Sequence, residues 1–209
     1  MKKIILRSLL FCCPFLLLFG CGADDKLLPV YGNKDMVDGK PVYHTISDFA
    51  FINQDSQLVT NKTFKDKIYI VDVFFTHCPT ICPTVKKQML RIYEKYKEDD
   101  RVVLISQTVD PKRDTVGRLK YYADKLEVKT EKWHFVTGDK EQLYDMADEY
   151  FLVAKEDASV DGGFDHSGTL ILVDQNRLVR ANANGLEPEE VDRLMEDIDR
   201  LLADNSIKQ

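Results

Sequence analysis

Between Ile68 and Phe75 the chain carries an unbroken run of β-branched, aromatic and aliphatic residues, interrupted only by Asp72. Such a run has no polar face to offer water, so it belongs in a strand covered on both sides. Behind it, Val85, Met89, Ile92 and Tyr96 recur at helical spacing, and Val102 to Ser106 forms a second run of the same buried type. Strand, helix and strand in that order predict a crossover unit with parallel strands.

The rest of the chain extends this pattern. Phe49–Ile52 and Leu58–Thr60 flank Asn53–Ser56 as a hairpin. Helical stretches are expected over Thr115–Leu126 and Lys140–Tyr150, with a short strand at Trp133–Val136 between them. Thr169–Val173 and Leu178–Arg180 make a second hairpin around Asp174-Gln175-Asn176. An amphipathic helix over Glu187–Leu202 closes the chain, opened by Pro188 and first-turn acids. Asp114 is expected to cap the helix after Asp110-Pro111, and the dense charges of Glu94–Arg101 read as a solvated helix end. The fold class is α/β: a mixed central sheet flanked by helices, with an added N-terminal hairpin, a layout compatible with a thioredoxin-like domain.

At 209 residues, 44% hydrophobic and 31% charged, the chain has the length and composition of one globular domain. Its formal charge of −6 argues against nucleic acid as a partner, because such a partner selects basic surfaces. The first twenty residues carry Lys2, Lys3 and Arg7 but no acid, followed by an apolar run from Leu9 to Phe19. A basic start and a short apolar stretch are the pattern of a secretory signal, too short to span a bilayer comfortably. Leu18-Phe19-Gly20-Cys21 resembles the lipobox of bacterial lipoproteins, with Phe19 larger than usual at its position. The resemblance implies lipidation at Cys21, against the alternative of an uncleaved anchor helix. The expected organisation is a lipoprotein signal peptide at 1–20, a flexible polar tether at 21–40 and the folded domain at 41–209. That places the domain in the bacterial cell envelope, outside the cytoplasm and held to a membrane by an N-terminal lipid.

Cys12 and Cys13 fall inside the signal, so Cys78 and Cys82 are the cysteines left to the domain besides Cys21. They join the first buried strand to the first long helix. Each precedes a proline, which disfavours helical geometry at the cysteines themselves, and Pro83 suits a first helical position. A helix N-terminus stabilises anions, so these thiols should ionise readily. A structural disulfide would close too small a loop to stabilise much. Reactivity or metal binding is the stronger reading. A metal would need a third ligand from the four histidines. His44 lies near the domain's start, His77 abuts Cys78 with a divergent backbone direction, and His134 sits in an apolar strand as a core residue. His166, in the glycine-rich stretch Gly162–Gly168, can reach over the helix N-terminus, with Asp165 as its partner or merely a loop carboxylate. The residues alone leave that choice open.

Phe75-Thr76-His77-Cys78-Pro79-Thr80-Ile81-Cys82-Pro83 resembles the signature of Sco/SenC proteins, copper chaperones of cytochrome c oxidase assembly. Val109-Asp110-Pro111-Lys112-Arg113-Asp114-Thr115 and Asp165-His166-Ser167 resemble that family's second and third segments, in the expected order; Val116 stands where proline is frequent. The resemblance runs from about His44 to Leu202. It implies that Cys78, Cys82 and His166 bind one copper, as Cu(I) or Cu(II), and that oxidation of the two cysteines to a disulfide removes two ligands. It also implies a client: subunit II of cytochrome c oxidase, with its dinuclear copper site, or another cuproprotein.

Two other chemistries use the same residues. An envelope thiol-disulfide reductase would employ Cys78 and Cys82 as an electron pair. No proline stands between Val160 and Thr169, where thioredoxin-like reductases keep one facing the cysteines, and this favours the metal reading. Peroxidase-like chemistry, suggested by Thr76 ahead of Cys78, lacks the matching spacing and an upstream proline.

Overall fold

A computed structural model describes residues 27–204. In chain order the elements are β1 (Lys34–Val37), β2 (Lys40–Tyr43), β3 (Ala50–Asn53), β4 (Leu58–Thr60), a 3-10 turn (Asn61–Phe64), β5 (Ile68–Phe74), α1 (Cys82–Tyr96), β6 (Val102–Thr108), α2 (Val116–Lys125), β7 (Trp133–Thr137), α3 (Lys140–Glu149), β8 (Ala154–Glu156), β9 (Phe164–His166), β10 (Thr169–Val173), β11 (Val179–Asn184) and α4 (Pro188–Ala203).

A seven-stranded sheet runs in the order β11-β10-β5-β6-β7-β3-β4. The parallel centre β5-β6-β7 is flanked by antiparallel strands on both sides. Every residue of β5, β6 and β7 is buried, as runs without a polar face require. Alternation of side chains assigns the layers. Asp72, Phe74 and Ser106 face α1 through Lys86, and Tyr122 of α2 lies on Phe74 and Phe135 of the same face. The opposite face carries Gln107, whose amide donates to the Leu143 carbonyl of α3, and Tyr69, which meets Tyr150 just beyond α3. α4 lies beside α1, where the Tyr96 hydroxyl donates to the Met195 carbonyl at 2.7 Å. The mixed sheet covered by helices on both faces is the expected α/β arrangement, and the expected β3–β4 hairpin forms its far edge.

Two segments depart from the sequence reading. Of the stretch 21–40, expected as a tether, residues 27–40 are described and lie ordered against the domain. Leu28 is buried, the Arg180 guanidinium donates to the Leu28 and Pro29 carbonyls (2.6 and 3.0 Å), and the Tyr31 N–H donates to the Val179 carbonyl (2.9 Å). β1 and β2 then pair as a second, almost wholly exposed hairpin. Backbone hydrogen bonds rather than a buried stripe order this segment, so it shows no hydrophobic periodicity. The β8–β9 hairpin, read as loop, is also a separate two-stranded sheet.

His134 is a core residue as expected: its Nδ1 lies 3.1 Å from the Asn53 amide nitrogen, and burial pushes its pKa down to about 4. The folded state therefore binds fewer protons than the unfolded chain between pH 6.5 and about 4. Stability contributed here is complete above pH 6.5 and lost as pH falls through that window, by about 3 kcal/mol at its lower end. His134→Gln keeps an acceptor for Asn53 and cannot ionise. Urea midpoints measured at pH 7 and pH 4.5 should lie closer together in the variant, and an unchanged gap would assign the acid sensitivity to other groups.

Candidate metal centre

The site forms where β5 gives way to α1. A tight turn, closed by the Cys78 N–H on the Phe75 carbonyl at 3.2 Å, brings Cys78 back over the strand end. Ile81 is already helical (φ −84°, ψ −33°), and Cys82 is the first residue of α1. This corrects the expectation that proline keeps Cys82 out of the helix. Pro83 sits within the first turn, where its missing N–H has no intrahelical partner to lose, and this outweighs the preference it imposes on the residue before it. The predicted cap is also corrected. Thr115 caps α2 by accepting from the Arg118 N–H, while Asp114 is fully buried. Its carboxylate accepts from the Thr76 N–H (3.1 Å), the Thr76 hydroxyl (2.5 Å) and the Thr108 hydroxyl (2.6 Å), fixing the turn that leads to Cys78.

The third donor arrives from the small sheet. His166 ends β9, and its Nε2 lies 3.2 Å from Cys82 Sγ and 3.5 Å from Cys78 Sγ. Its Nδ1 lies 3.1 Å from the Phe164 carbonyl, which calls for a proton there and turns Nε2 toward the sulfurs. The Phe75 ring stands edge-on to the imidazole at 5.1 Å, forming an apolar wall. Gly162 packs on that same ring: at φ +88°, a Cβ there would lie 2.6 Å from it. Arg113 ties these loops together, donating to the Gly162 carbonyl (3.1 Å), lying over Phe164 and Phe75, and pairing with Asp110.

The two sulfurs and the imidazole nitrogen all lie within 4.8 Å of one another, with both cysteines reduced and buried. Hydrogen bonding from the Cys82 thiol, with help from His166, holds the Cys78 thiol well below its ordinary pKa despite burial. Cys82 shifts the other way, because its thiol donates the hydrogen bond to Cys78 and is more deeply buried. For His166, burial works against the charged form, but hydrogen bonds to Cys78 and the Phe164 carbonyl outweigh it and raise the pKa. The two sulfurs and the imidazole nitrogen thus converge on a common point, with Cys78 the more readily ionised of the two thiols. Two sulfurs and an imidazole are a soft, compact donor set, suited to copper in either valence.

The other histidines stand elsewhere. His44 Nε2 lies 3.1 Å from the Glu149 carbonyl, and His77 is exposed with its Nδ1 on the Thr76 hydroxyl at 3.1 Å. Asp165 pairs with Lys155 at 3.2 Å instead of supporting His166, a role the Phe164 carbonyl takes. Cys21 lies outside the described residues.

A buried quartet beneath Cys82 went unread in the sequence. Lys86 Nζ donates to Asp72 and to Ser106 Oγ at 2.6 Å each, the Ser106 hydroxyl donates to Asp72 at 2.5 Å, and the Trp133 indole donates to Ser106 at 2.8 Å. Two signals pointed to it: one acid in an otherwise apolar strand, and a lysine at core spacing in the α1 stripe.

Comparison with known proteins agrees with this geometry. The family model described as SCO1/SenC matches residues 37–203. A SCO1/SenC family lipoprotein from Bacillus anthracis superposes with a TM-score of 0.70 at 27% identity, covering 78% of this chain and 98% of that one. BsSco, described with a disulfide switch and as a member of the Sco family of cytochrome c oxidase assembly proteins, gives 0.67 at 28% identity over 80% and 97%. Arabidopsis thaliana ScoI with copper bound gives 0.63 at 27% identity over 75% and 97%. A family match across most of the chain, with the thioredoxin-like fold and the cysteine–histidine cluster in place, leads to one conclusion: the chain belongs to the SCO1/SenC family.

Proposed function

We propose that this protein is a membrane-tethered copper chaperone that carries one copper ion on Cys78, Cys82 and His166 and delivers it for maturation of the dinuclear copper site of cytochrome c oxidase. The observation that carries this reading is the convergence of two sulfurs and an imidazole nitrogen within 4.8 Å, in a fold whose Arabidopsis relative holds copper. Copper here is cargo. The Cys78 thiolate at the turn is suited to receive it, Cys82 closes the chelate, and His166 completes the set from a separate hairpin. Delivery by ligand exchange requires the client to supply its own thiolates and imidazoles, which suits oxidase subunit II. Membership of a family described as cytochrome c oxidase assembly proteins supports that client.

In this reading the first twenty residues are a signal peptide, Cys21 is lipidated, and the domain works in the bacterial cell envelope outside the cytoplasm. The anthracis lipoprotein relative supports the anchor, and among the described residues no helix is long and apolar enough to cross a membrane. A second reading rests on the unequal thiols. A Cys78 thiolate beside a protonated Cys82 is the arrangement in which one sulfur attacks a client disulfide and the other resolves the mixed disulfide, passing two electrons to the client.

Cu(I) titration against a competing chelator tests the main reading. The reduced protein should take up one equivalent tightly, and the Cys78–Cys82 disulfide form should lose that binding. Equal affinity in both redox forms would rule out the cysteines as ligands. Catalytic turnover of protein disulfides without copper would favour the reductase.

A further inference from the structure

We propose that Arg113 is a positioning residue for the metal centre: its guanidinium clasps the β8–β9 hairpin to the body of the domain and so fixes where His166 stands relative to the two sulfurs. The inference rests on the copper reading above and concerns how the third ligand is held.

Two of the three ligands are anchored in the main fold, and the third is not. Cys78 and Cys82 stand where β5 gives way to α1, whereas His166 ends a three-residue strand in a separate two-stranded sheet. A hairpin of two strands is marginal in water, so the position of His166 depends on what ties β8–β9 down. Lys140 of α3 pairs with Glu156 of β8 at 2.7 Å, but both side chains are exposed, and such a pair holds weakly. Arg113 comes from the loop between β6 and α2 and reaches the other strand. It donates to the Gly162 carbonyl at 3.1 Å and lies 5.4 Å over the Phe164 ring and 5.9 Å over that of Phe75. The two rings lie 5.2 Å apart. Guanidinium and rings thus form one cluster that joins the end of β5 to the start of β9.

The cluster acts on His166 through Phe164. The residue whose ring meets Arg113 also offers its carbonyl to His166 Nδ1 at 3.1 Å, and Phe75 stands edge-on to the imidazole at 5.1 Å. A shift of Phe164 therefore moves the acceptor that orients the imidazole, and Nε2 with it. Asp110 sets the direction of the clasp. Its carboxylate, almost fully buried, binds Arg113 through Nε, which leaves Nη2 to reach Gly162, 49 residues along the chain. Charge balance for Asp110 alone does not need that second bond. A lysine would supply the charge, whereas the planar fork serves the carboxylate, the carbonyl and two rings together. Gly162 completes the fit: a Cβ there would lie 2.6 Å from the Phe75 ring and hold the hairpin off.

The test compares the reduced wild type with Arg113→Lys, which keeps a cation for Asp110 but loses the fork. In the metal-free state, amide exchange across β8–β9 should quicken at least about fivefold, with the amides of β5 and β6 unchanged. By chelator competition, Cu(II) affinity should fall about tenfold and Cu(I) affinity by less, since the sulfurs that hold Cu(I) are untouched. Nitrogen coupling in the Cu(II) resonance spectrum should weaken with it. In a His166→Ala background the same substitution should leave the remaining copper affinity unchanged. That separates positioning of the imidazole from a merely structural role, whose cost would persist without it. Unchanged hairpin exchange, an unmoved Cu(II) affinity, equal losses for both valences, or a loss that survives in His166→Ala overturns the clasp. If Arg113→Lys does not fold, the uncharged double variant Asp110→Asn/Arg113→Gln decides by the same readouts. Wild-type protein that binds neither valence tightly would overturn the copper reading, and hairpin exchange would still decide whether Arg113 holds β8–β9.

Discussion

Replacing His166 with alanine should lower copper affinity by at least about a hundredfold, equivalent to ~2.7 kcal/mol, while leaving the fold intact. The side chain is half-buried and belongs to a small sheet outside the main one, so its loss should change stability by no more than about 1 kcal/mol. Its loss from the site is another matter. Among the described residues His166 is the one histidine grouped with the two cysteines, its Nε2 3.2 and 3.5 Å from their sulfurs, and two thiolates alone leave an ion open to solvent and to competitors. The deficit should be greater for Cu(II), which prefers a mixed nitrogen–sulfur set, than for Cu(I), which two sulfurs can hold. Chelator competition for both valences, with nitrogen coupling in the Cu(II) resonance spectrum, checks this. Unchanged affinity in a folded variant would dismantle the three-ligand centre.

Asp114→Ala should destabilise the domain by about 3–5 kcal/mol, among the largest effects available to one side chain. The carboxylate is fully buried and accepts three hydrogen bonds at 2.5 to 3.1 Å. Truncation leaves the Thr76 N–H and the buried Thr108 hydroxyl without their acceptor and costs the Thr76 hydroxyl its shortest bond, each with its own penalty. Because two of those donors belong to Thr76, the variant should also loosen the turn that presents Cys78 and weaken copper binding in the fraction that remains folded. Asp114→Asn, which keeps one acceptor oxygen, should lose about half as much. Urea denaturation resolves these differences, and a loss below about 1 kcal/mol for alanine would show that the pocket relaxes or hydrates around the gap.

The parts of this molecule legible in the sequence are those whose residues repeat with a period. β5, β6 and α1 declare themselves because burial on two faces or on one stripe leaves a pattern in the residues. The Cys78–Cys82 pair declared itself because its chemistry is local to one turn. From the residues alone His166 stayed an open choice, singled out as a ligand only by the family resemblance, since its place depends on β8 and β9 pairing, and three-residue strands carry too little pattern to reveal a hairpin. β1 and β2 were hidden for a related reason: an exposed hairpin buries nothing and so repeats nothing. Asp114 read as a cap because position along the chain cannot distinguish a carboxylate facing its own helix from one facing the neighbouring loop.

The path of the chain at Leu28–Tyr31 fixes the end of the sheet at which the N-terminal segment joins the domain. Val179, whose carbonyl receives the Tyr31 N–H, is paired with Val173, and Val173 with Tyr69 at the beginning of β5. The thiols lie past the other end of that strand, seven residues and ~23 Å away. Were the domain anchored through its N-terminus, as proposed above, its thiols would lie at the pole of the sheet away from the segment that leads in. On that proposal, a client on the same membrane would have to raise its acceptor site to about the height of the domain, and delivery would favour proteins whose metal-receiving part stands clear of the bilayer.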